Sequence, residues 1–294
     1  MYSFIVNPKA GRGRALKYIA RVETRLKELG EPYEVLYSQH SGHSITLAQS
    51  LKTQKRAAVV AVGGDGTLVE VATGLAGSDC IMGVIPAGTG NDFSRTLGIP
   101  RDPELALDTV LNGKIIQSDM GLINGKDYFL NVAGLGFDVS VLKHSYKTNR
   151  IFKGMAAYFL AVLLALVNLK FPRVKITTPD GVIEQEALML AVANGRCFGG
   201  GMMVAPDARL DDGLFNVCLI RKLGRLSVLK LLPSFIKGSH LKNKYVTYFK
   251  CSRITAECTP VNQLNMDGEL GGFTPVTFEV LPGHISILTP RQPS

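Results

Sequence analysis

The sequence predicts a two-domain α/β protein, with a parallel-sheet domain first and a β-rich domain after it. Three observations carry that expectation. Short apolar runs alternate with helical patterns over the first hundred residues, glycine-bearing turns come after those runs, and strand-like segments dominate beyond them. At 294 residues, with 46% hydrophobic and 19% charged content, the chain can fill one large or two ordinary domains with sizeable cores.

Tyr2 to Val6 reads as a buried strand, broken by Asn7-Pro8-Lys9-Ala10-Gly11-Arg12-Gly13. A helix carrying Leu16, Ile19, Ala20, Leu26 and Leu29 comes next, and Gly30 stops it. Tyr33 to Tyr37 is the second strand, followed by Ser38 to Gly42 and a helix through Leu47 and Leu51. The third strand, Ala57 to Val62, enters Gly63-Gly64-Asp65-Gly66-Thr67 and then the helical pattern Leu68, Val71, Ala72, Leu75. A fourth, Ile81 to Ile85, enters Pro86-Ala87-Gly88-Thr89-Gly90-Asn91-Asp92. In right-handed βαβ units the loops after the strands share one edge, where ligands bind. Asn7 to Gly13, Ser38, Gly63 to Thr67 and Gly88 to Asp92 should therefore line a common crevice.

The Gly63 to Thr67 turn carries the chemistry. Glycines let the backbone approach a ligand closely, and a helix start offers unpaired N–H groups at the positive end of its dipole, which suits a phosphate. Thr67 and Glu70 have the spacing of a capping box, giving Glu70 a structural role. Asp65 among phosphate oxygens would repel them unless a divalent cation or a proton intervenes, so it implies Mg²⁺ close by. The plainer alternative is an ordinary glycine turn with an exposed Asp. Lys9, Arg12 and Arg14 would add positive charge at that edge, and Arg95 can be read either way.

After Pro100 a helix through Leu105, Leu107 and Leu111 leads to strand-like stretches at Ile115 to Leu122 and Tyr128 to Val132, then Ala133-Gly-Leu-Gly-Phe-Asp138. Further strands are expected at Arg173 to Thr178, Ala187 to Ala193, Leu214 to Leu219, Arg253 to Cys258 and Val276 to Leu281. The domain boundary falls near residues 120 to 130, giving domains of 1–123 and 124–281. In the final segment, 282–294, the strand Ile285 to Leu288 should return to the first domain. The apolar segment Met155 to Leu169, flanked by Lys153 and Lys170, rises only about 1.5 Å per residue as a helix and falls short of the roughly 30 Å hydrocarbon layer. A buried or membrane-touching helix is expected there. Arg221 to Lys244 mixes leucines with seven basic residues, as an amphipathic helix resting on an anionic bilayer would, or as a sheet-packed helix with a solvated face.

Two acidic turns remain, Pro206 to Gly213 and Asn265-Met266-Asp267-Gly268-Glu269. Each contains Asp-Gly, a hairpin signal. Asp267 and Glu269, at i and i+2, would point to one side of an extended segment and together could supply a general base.

Net charge of +9 and a pI near 9.3 suggest an anionic partner. The lack of finger spacing, an aromatic RNA-binding stretch or a basic heptad helix argues against nucleic acid. Five scattered cysteines without a Cys-x-x-Cys pair favour reduced thiols in a cytosolic protein over disulfides or zinc. Met1 to Val6 is too short for a signal peptide, so the chain is expected to stay inside the cell.

Asn7 to Gly11, Gly63 to Thr67, Pro86 to Asp92, Gly199-Gly200-Gly201 with Pro206 to Gly213, and Asn265 to Glu269 occur in an order and approximate spacing that resembles the soluble bacterial diacylglycerol kinase and lipid kinase family, whose catalytic domain sphingosine kinases share. The resemblance covers nearly the whole chain. It implies a nucleotide-binding α/β domain, a β-sandwich lipid-binding domain and a site in the cleft between them. It further implies that Asn7, Pro8, Lys9, Ala10, Gly11, Ser38, Gly63, Gly64, Asp65, Gly66, Thr67, Leu68, Val69 and Thr89 contact ATP; at Ser38 the family often has Thr, and Ser keeps the hydroxyl. Asp267 and Glu269 lie in the motif supplying the catalytic base, with Glu269 the first choice. The Asp-Asp-Gly turn resembles a structural Mg²⁺ site, with Asp212 giving a carboxylate and Arg209 and Leu214 backbone carbonyls.

The expected activity is that of an ATP- and Mg²⁺-dependent kinase acting on a lipid hydroxyl at an anionic membrane surface, cytoplasmic and peripheral at the inner membrane, with diacylglycerol the leading acceptor. An exposed sheet edge in the second domain could pair two chains. The rivals are an NAD kinase, which also uses Gly-Gly-Asp-Gly-Thr, and a catalytically silent membrane-binding regulator. Against them stand the Pro86 to Asp92 stretch, the apolar segment 155–169, and the retention of Asp65, Asp267 and Glu269.

Overall fold

The computed structural model describes residues 1–54, 56–148 and 154–291, with side chains described from residue 159 onward in the last stretch. Lys153 and residues 292–294 of the C-terminal segment lie outside the described residues. The chain forms two compact units, Met1–Met120 together with the segment from Pro282, and Gly121–Leu281.

In the first unit, strands β1 (Tyr2–Val6), β2 (Tyr33–Tyr37), β3 (Ala58–Gly63) and β4 (Ile81–Pro86) alternate with helices α1 (Arg14–Leu29), α2 (His43–Leu51) and α3 (Asp65–Leu75). Two further helices, α4 (Asp92–Thr96) and α5 (Pro103–Asn112), precede β5 (Lys114–Ile123). The order β2-β1-β3-β4 is parallel throughout. β3 is buried along its whole length, which is why it reads as a continuous apolar run. Gly30 ends α1 in the left-handed region, φ 70°, and its N–H donates to the carbonyls of Leu26 and Lys27. The buried face of α1 is Ala15, Ile19, Val22 and Leu26; Leu16 and Leu29, expected inside, are exposed.

The second unit is antiparallel and layered. Its strands are β6 (Asp127–Phe129), β7 (Val132–Gly136), β8 (Arg173–Thr178), β9 (Gly181–Ala193), β10 (Cys197–Phe198), β11 (Met202–Met203), β12 (Phe215–Arg221), β13 (Val246–Cys251), β14 (Arg253–Thr259), β15 (Gln263–Met266), β16 (Glu269–Phe273) and β17 (Val276–Thr289). β9 serves two sheets: residues 181–186 pair with β8, and 187–193 pair with β7 and β12. A core of Phe129, Leu135, Ile176, Leu190, Phe215 and Phe278, among others, lies between the sheets. A second core, including Leu188, Ala191 and Ile220, packs the outer face of the β7-β9-β12 sheet under helices α6 (Phe137–Thr148), α7 (Gly154–Val167) and α8 (Arg225–Lys237). Ala187 to Ala193 is thus buried on both faces, and the unit is a β-sandwich with a helical layer.

Several expectations are corrected. Tyr128 to Val132 is two strands separated by Leu130 and Asn131, and Phe137 opens a helix that the glycines before it concealed. Val276 to Leu281 and Ile285 to Leu288 form one strand, because Gly283, φ 56°, lets the chain bend without ending. Its distal part pairs in parallel with β4 through Ser286 and Ile287. The basic helix expected over 221–244 is only Arg225–Lys237: Arg221 belongs to β12, and Gly238 at φ 67° caps the helix.

Candidate active site

The order β2-β1-β3-β4 makes the chain leave β1 toward one side and resume at β3 on the other, and ligands bind outside such a switch point. The loops after β1, β3 and β4 meet there. Asn7 Nδ2 donates to Thr67 Oγ1 at 3.1 Å, and Asn7 Oδ1 accepts the Lys9 N–H at 3.0 Å. Ala10–Arg12 is a short 3₁₀ turn in which Gly11, φ 57°, lies so close to the Ala87 carbonyl that a Cβ would collide with it. An added Cβ at Gly64 would come within 3.1 Å of the Gly88 Cα, and one at Gly88 would strike Gly64. The two glycine loops are therefore interlocked backbone against backbone. No side chain caps the N-terminus of α3, whose cap residue is Gly64, so its first-turn N–H groups and dipole are available to an anion.

The structure brings most of the expected nucleotide residues to this edge. Pro8 and Ala10 are half-buried and Lys9 exposed on the first loop, while Gly63, Gly66 and Val69 flank the α3 start. Leu68 is buried in the core and offers only its backbone. Thr89 is exposed. Ser38 is buried just past β2, its N–H donating to the Val6 carbonyl at 2.9 Å. Three arginines brace the second glycine loop: Arg14 Nη1 donates to the Gly88 carbonyl at 2.9 Å, and Arg95 Nε and Arg101 Nη2 each reach the Gly90 carbonyl at 3.3 Å. Arg101 had no sequence signal.

Asp65 is not an exposed turn residue. Its Oδ1 accepts the Phe93 N–H at 3.1 Å at the start of α4, tying the first glycine turn to the second. Burial pushes its pKa up, and hydrogen bonds from the Phe93, Asn91 and Asp92 backbone pull it back. The capping box is a correction. α3 begins at Asp65, placing Thr67 inside it, and Glu70 turns away to accept from Gly42 N–H at 2.7 Å and Ser44 N–H at 3.3 Å. Glu70 caps α2, not its own helix.

In the second unit the Asp-Gly hairpin forms between β15 and β16, with Asp267 at φ 49° and Gly268 at φ 89°, both left-handed as a tight hairpin requires. The segment is not extended there, so Asp267 and Glu269 do not share a strand face, which corrects the paired-carboxylate expectation. Asp267 accepts three backbone N–H groups, from Leu130 (2.7 Å), Asn131 (3.0 Å) and Val132 (2.8 Å). Those bonds fix the entry to β7 and occupy the carboxylate. Glu269, the first residue of β16, is exposed, and its charge, after burial, helps raise the pKa of Tyr146 on α6.

Sequence reasoning missed Asp138. It sits in the first turn of α6, accepts from Asn265 Nδ2 at 3.1 Å, and borders a narrow apolar pocket of ≈ 30 Å³ with Val141, Val162, Leu188, Val228 and Phe235. Burial pushes its pKa up to about 6. An Asp placed straight after the apolar Ala133 to Phe137 run was the available clue.

The residues expected to hold a structural Mg²⁺, through the Asp212 carboxylate and the Arg209 and Leu214 carbonyls, lie on the turn before β12, where their side chains have other partners. Asp212 Oδ2 pairs with Lys250 Nζ at 2.8 Å, and its Oδ1 accepts the Leu214 N–H at 3.2 Å. Arg209 turns to Asp211 at 3.2 Å. The single carboxylate is already neutralised by an ammonium group. Among the described residues no group of three or more His, Cys, Asp or Glu side chains could hold a metal ion.

Residues 1–123 match the diacylglycerol kinase catalytic domain family, and residues 131–289 match the YegS C-terminal NAD kinase beta sandwich-like domain. A diacylglycerol kinase of Bacillus subtilis is 32% identical, over 98% of this chain and 96% of its own length. One from Staphylococcus saprophyticus is 32% identical over 98% of this chain and 95% of its own. A crystal structure of a diacylglycerol kinase from Bacillus anthracis superposes with a TM-score of 0.74 at 25% identity, covering 98% of this chain and 96% of that one. These matches span both units and not merely the glycine loops, and on them the chain is a kinase belonging to the diacylglycerol kinase family.

Proposed function

We propose that this chain transfers the γ-phosphoryl group of ATP, delivered as its magnesium complex, to the hydroxyl of diacylglycerol, giving phosphatidic acid and ADP. The carrying observation is the interlocked, side-chain-free backbone at Gly11, Gly64 and Gly88 beside the uncapped start of α3. Such a surface suits a polyphosphate, because N–H groups can approach its oxygens with no Cβ in the way. In this reading residues 1–123 hold the nucleotide through Asn7 to Gly11, Ser38, Gly63 to Val69 and Thr89; residues 124–281 take the lipid, and the last segment completes the first domain.

A lipid alcohol is a weak nucleophile at neutral pH. Glu269 accepts its proton as the oxygen attacks the γ-phosphorus and ADP leaves in line; such general-base help is worth about 10²–10⁴-fold. Glu269 is exposed, where a substrate hydroxyl can reach it, whereas Asp267 is engaged by three N–H groups and acts as a positioning residue. Asp65 positions the Gly88 to Asp92 loop through α4 and is the carboxylate beside which the nucleotide's magnesium would sit. Diacylglycerol kinases 32% identical over 98% of this chain favour a lipid acceptor over a dinucleotide.

The experiment is incubation with Mg²⁺, γ-labelled ATP and vesicles carrying diacylglycerol, phosphatidylglycerol, undecaprenol or a sphingoid base, with NAD in a parallel tube. Label in phosphatidic acid is the expected result. Label in NAD, or in nothing, transfers the assignment to the NAD kinase or the silent regulator.

A further inference from the structure

We propose that the first unit carries a second ligand site, a polar cavity at the edge of its sheet opposite the glycine loops, and that this site takes a small uncharged polyol. The cavity has a volume of ≈ 440 Å³, within the range of about 300–1,000 Å³ usual for small-molecule sites. It is walled by the turn between α3 and β4, by β5 and by the distal part of β17, all within the first unit. Ile81 at its wall begins β4, and the second glycine loop follows Pro86, where β4 ends. Strand rising roughly 3.3 Å per residue separates the two by about 17 Å, so the cavity and the glycine loops lie at opposite ends of β4.

The walls are built without a ligand. The Gly77 N–H donates to the His284 carbonyl at 3.0 Å, and Ser286 is the partner of Ile81 in the parallel pairing of β17 with β4. Ser286 Oγ donates to Gln117 Oε1 at 3.1 Å, which fixes the amide and leaves its NH2 group without a partner among the described residues. The exposed Asp79 carboxylate also has no partner among them. Chemistry then selects the occupant. Asp79 brings only acceptors and the Gln117 NH2 group only donors, and vicinal hydroxyls, each donor and acceptor at once, satisfy both. Charge turns ions away. An anion would meet Asp79, and the Lys52 ammonium, which donates to the Ala76 carbonyl at 2.8 Å beside the same turn, offsets that carboxylate against a cation. Burial, and after it the Lys52 charge, hold the His284 imidazole below its ordinary pKa of 6.5, so it borders the cavity uncharged. Ile81 and the exposed Ile115 supply an apolar wall for the carbon skeleton.

The test is a saturation-transfer NMR titration of the full chain with glycerol, myo-inositol and glucose, with inorganic phosphate and ethanolamine as charged controls. Asp79→Ala and Gln117→Ala accompany the wild type. Gln117→Ala removes the acceptor of the Ser286 hydroxyl, whereas Asp79→Ala breaks no hydrogen bond among the described residues and keeps the test sound should the other variant lose stability. The wild type should bind at least one of the three polyols saturably, each variant should weaken that binding about tenfold, and saturating Mg–ATP should leave it in place. No saturable binding of any of the three overturns the proposal, as does binding that survives both substitutions. Preference for phosphate or ethanolamine would give the cavity to a charged ligand, and displacement by Mg–ATP would merge it with the nucleotide site; either result also overturns it. Binding is read without turnover, so it stands or falls separately from the kinase reading.

Discussion

At the scale of single residues, the two carboxylates of the Asp267-Gly268-Glu269 turn have different tasks. Asp267→Ala would leave three N–H groups at the start of β7 without their charged acceptor, and should destabilise the protein by about 3 kcal/mol or more, read by chemical denaturation. Asp138 gives a second expectation. Its pKa of about 6 in the folded protein lies above the unfolded value of 3.8, so the folded state binds the proton more tightly. Stability should therefore fall as pH rises from about 4 to 6, by ~3 kcal/mol in all, and Asp138→Asn, which removes the titration, should flatten that slope in denaturation curves. Neither role was legible from spacing. The Asp267 partners lie 135 to 137 residues away, and its positive φ defeats the alternation rule from which a shared face was inferred. The Asp-Gly pair did announce the hairpin, because that turn demands those residues locally.

At the scale of elements, local patterns were readable wherever local forces decide. Tyr2–Val6, Tyr33–Tyr37 and Arg173–Thr178 occur at the residues expected, since each is a short apolar or alternating run bounded by turn formers. Patterns failed where tertiary partners override them. Glu70 has capping-box spacing to Thr67 but serves the helix packed beside its own. Glu70→Ala should therefore destabilise α2 by about 1 kcal/mol, with hydrogen exchange rising at Gly42 and Ser44 rather than at the start of α3. A change confined to α3 would restore the capping box. Helix α6 was hidden behind Gly134 and Gly136, which carry no helical signal; Gly134 is held by close approach of Leu190 and Asp138, and Gly136 by a φ of 103°.

At the scale of the whole molecule, alternation of strand and helix was enough to predict a parallel sheet, and the shared edge of its loops was enough to gather Asn7, Gly11, Gly64, Thr67 and Gly88. What no pattern could supply was the sharing of β9 between two sheets and the layering of three helices over one of them, because both depend on burial from opposite sides. The central claim is phosphoryl transfer from ATP at the glycine loops to a lipid alcohol with Glu269 as base. Its most direct test is turnover of γ-labelled ATP with diacylglycerol vesicles by the wild type and by Glu269→Gln, each checked for an unchanged melting curve. The wild type should label phosphatidic acid, and the variant should lose about 10²–10⁴-fold in kcat with ATP binding retained. Equal turnover by the two proteins, or no labelled lipid from the wild type, would contradict it.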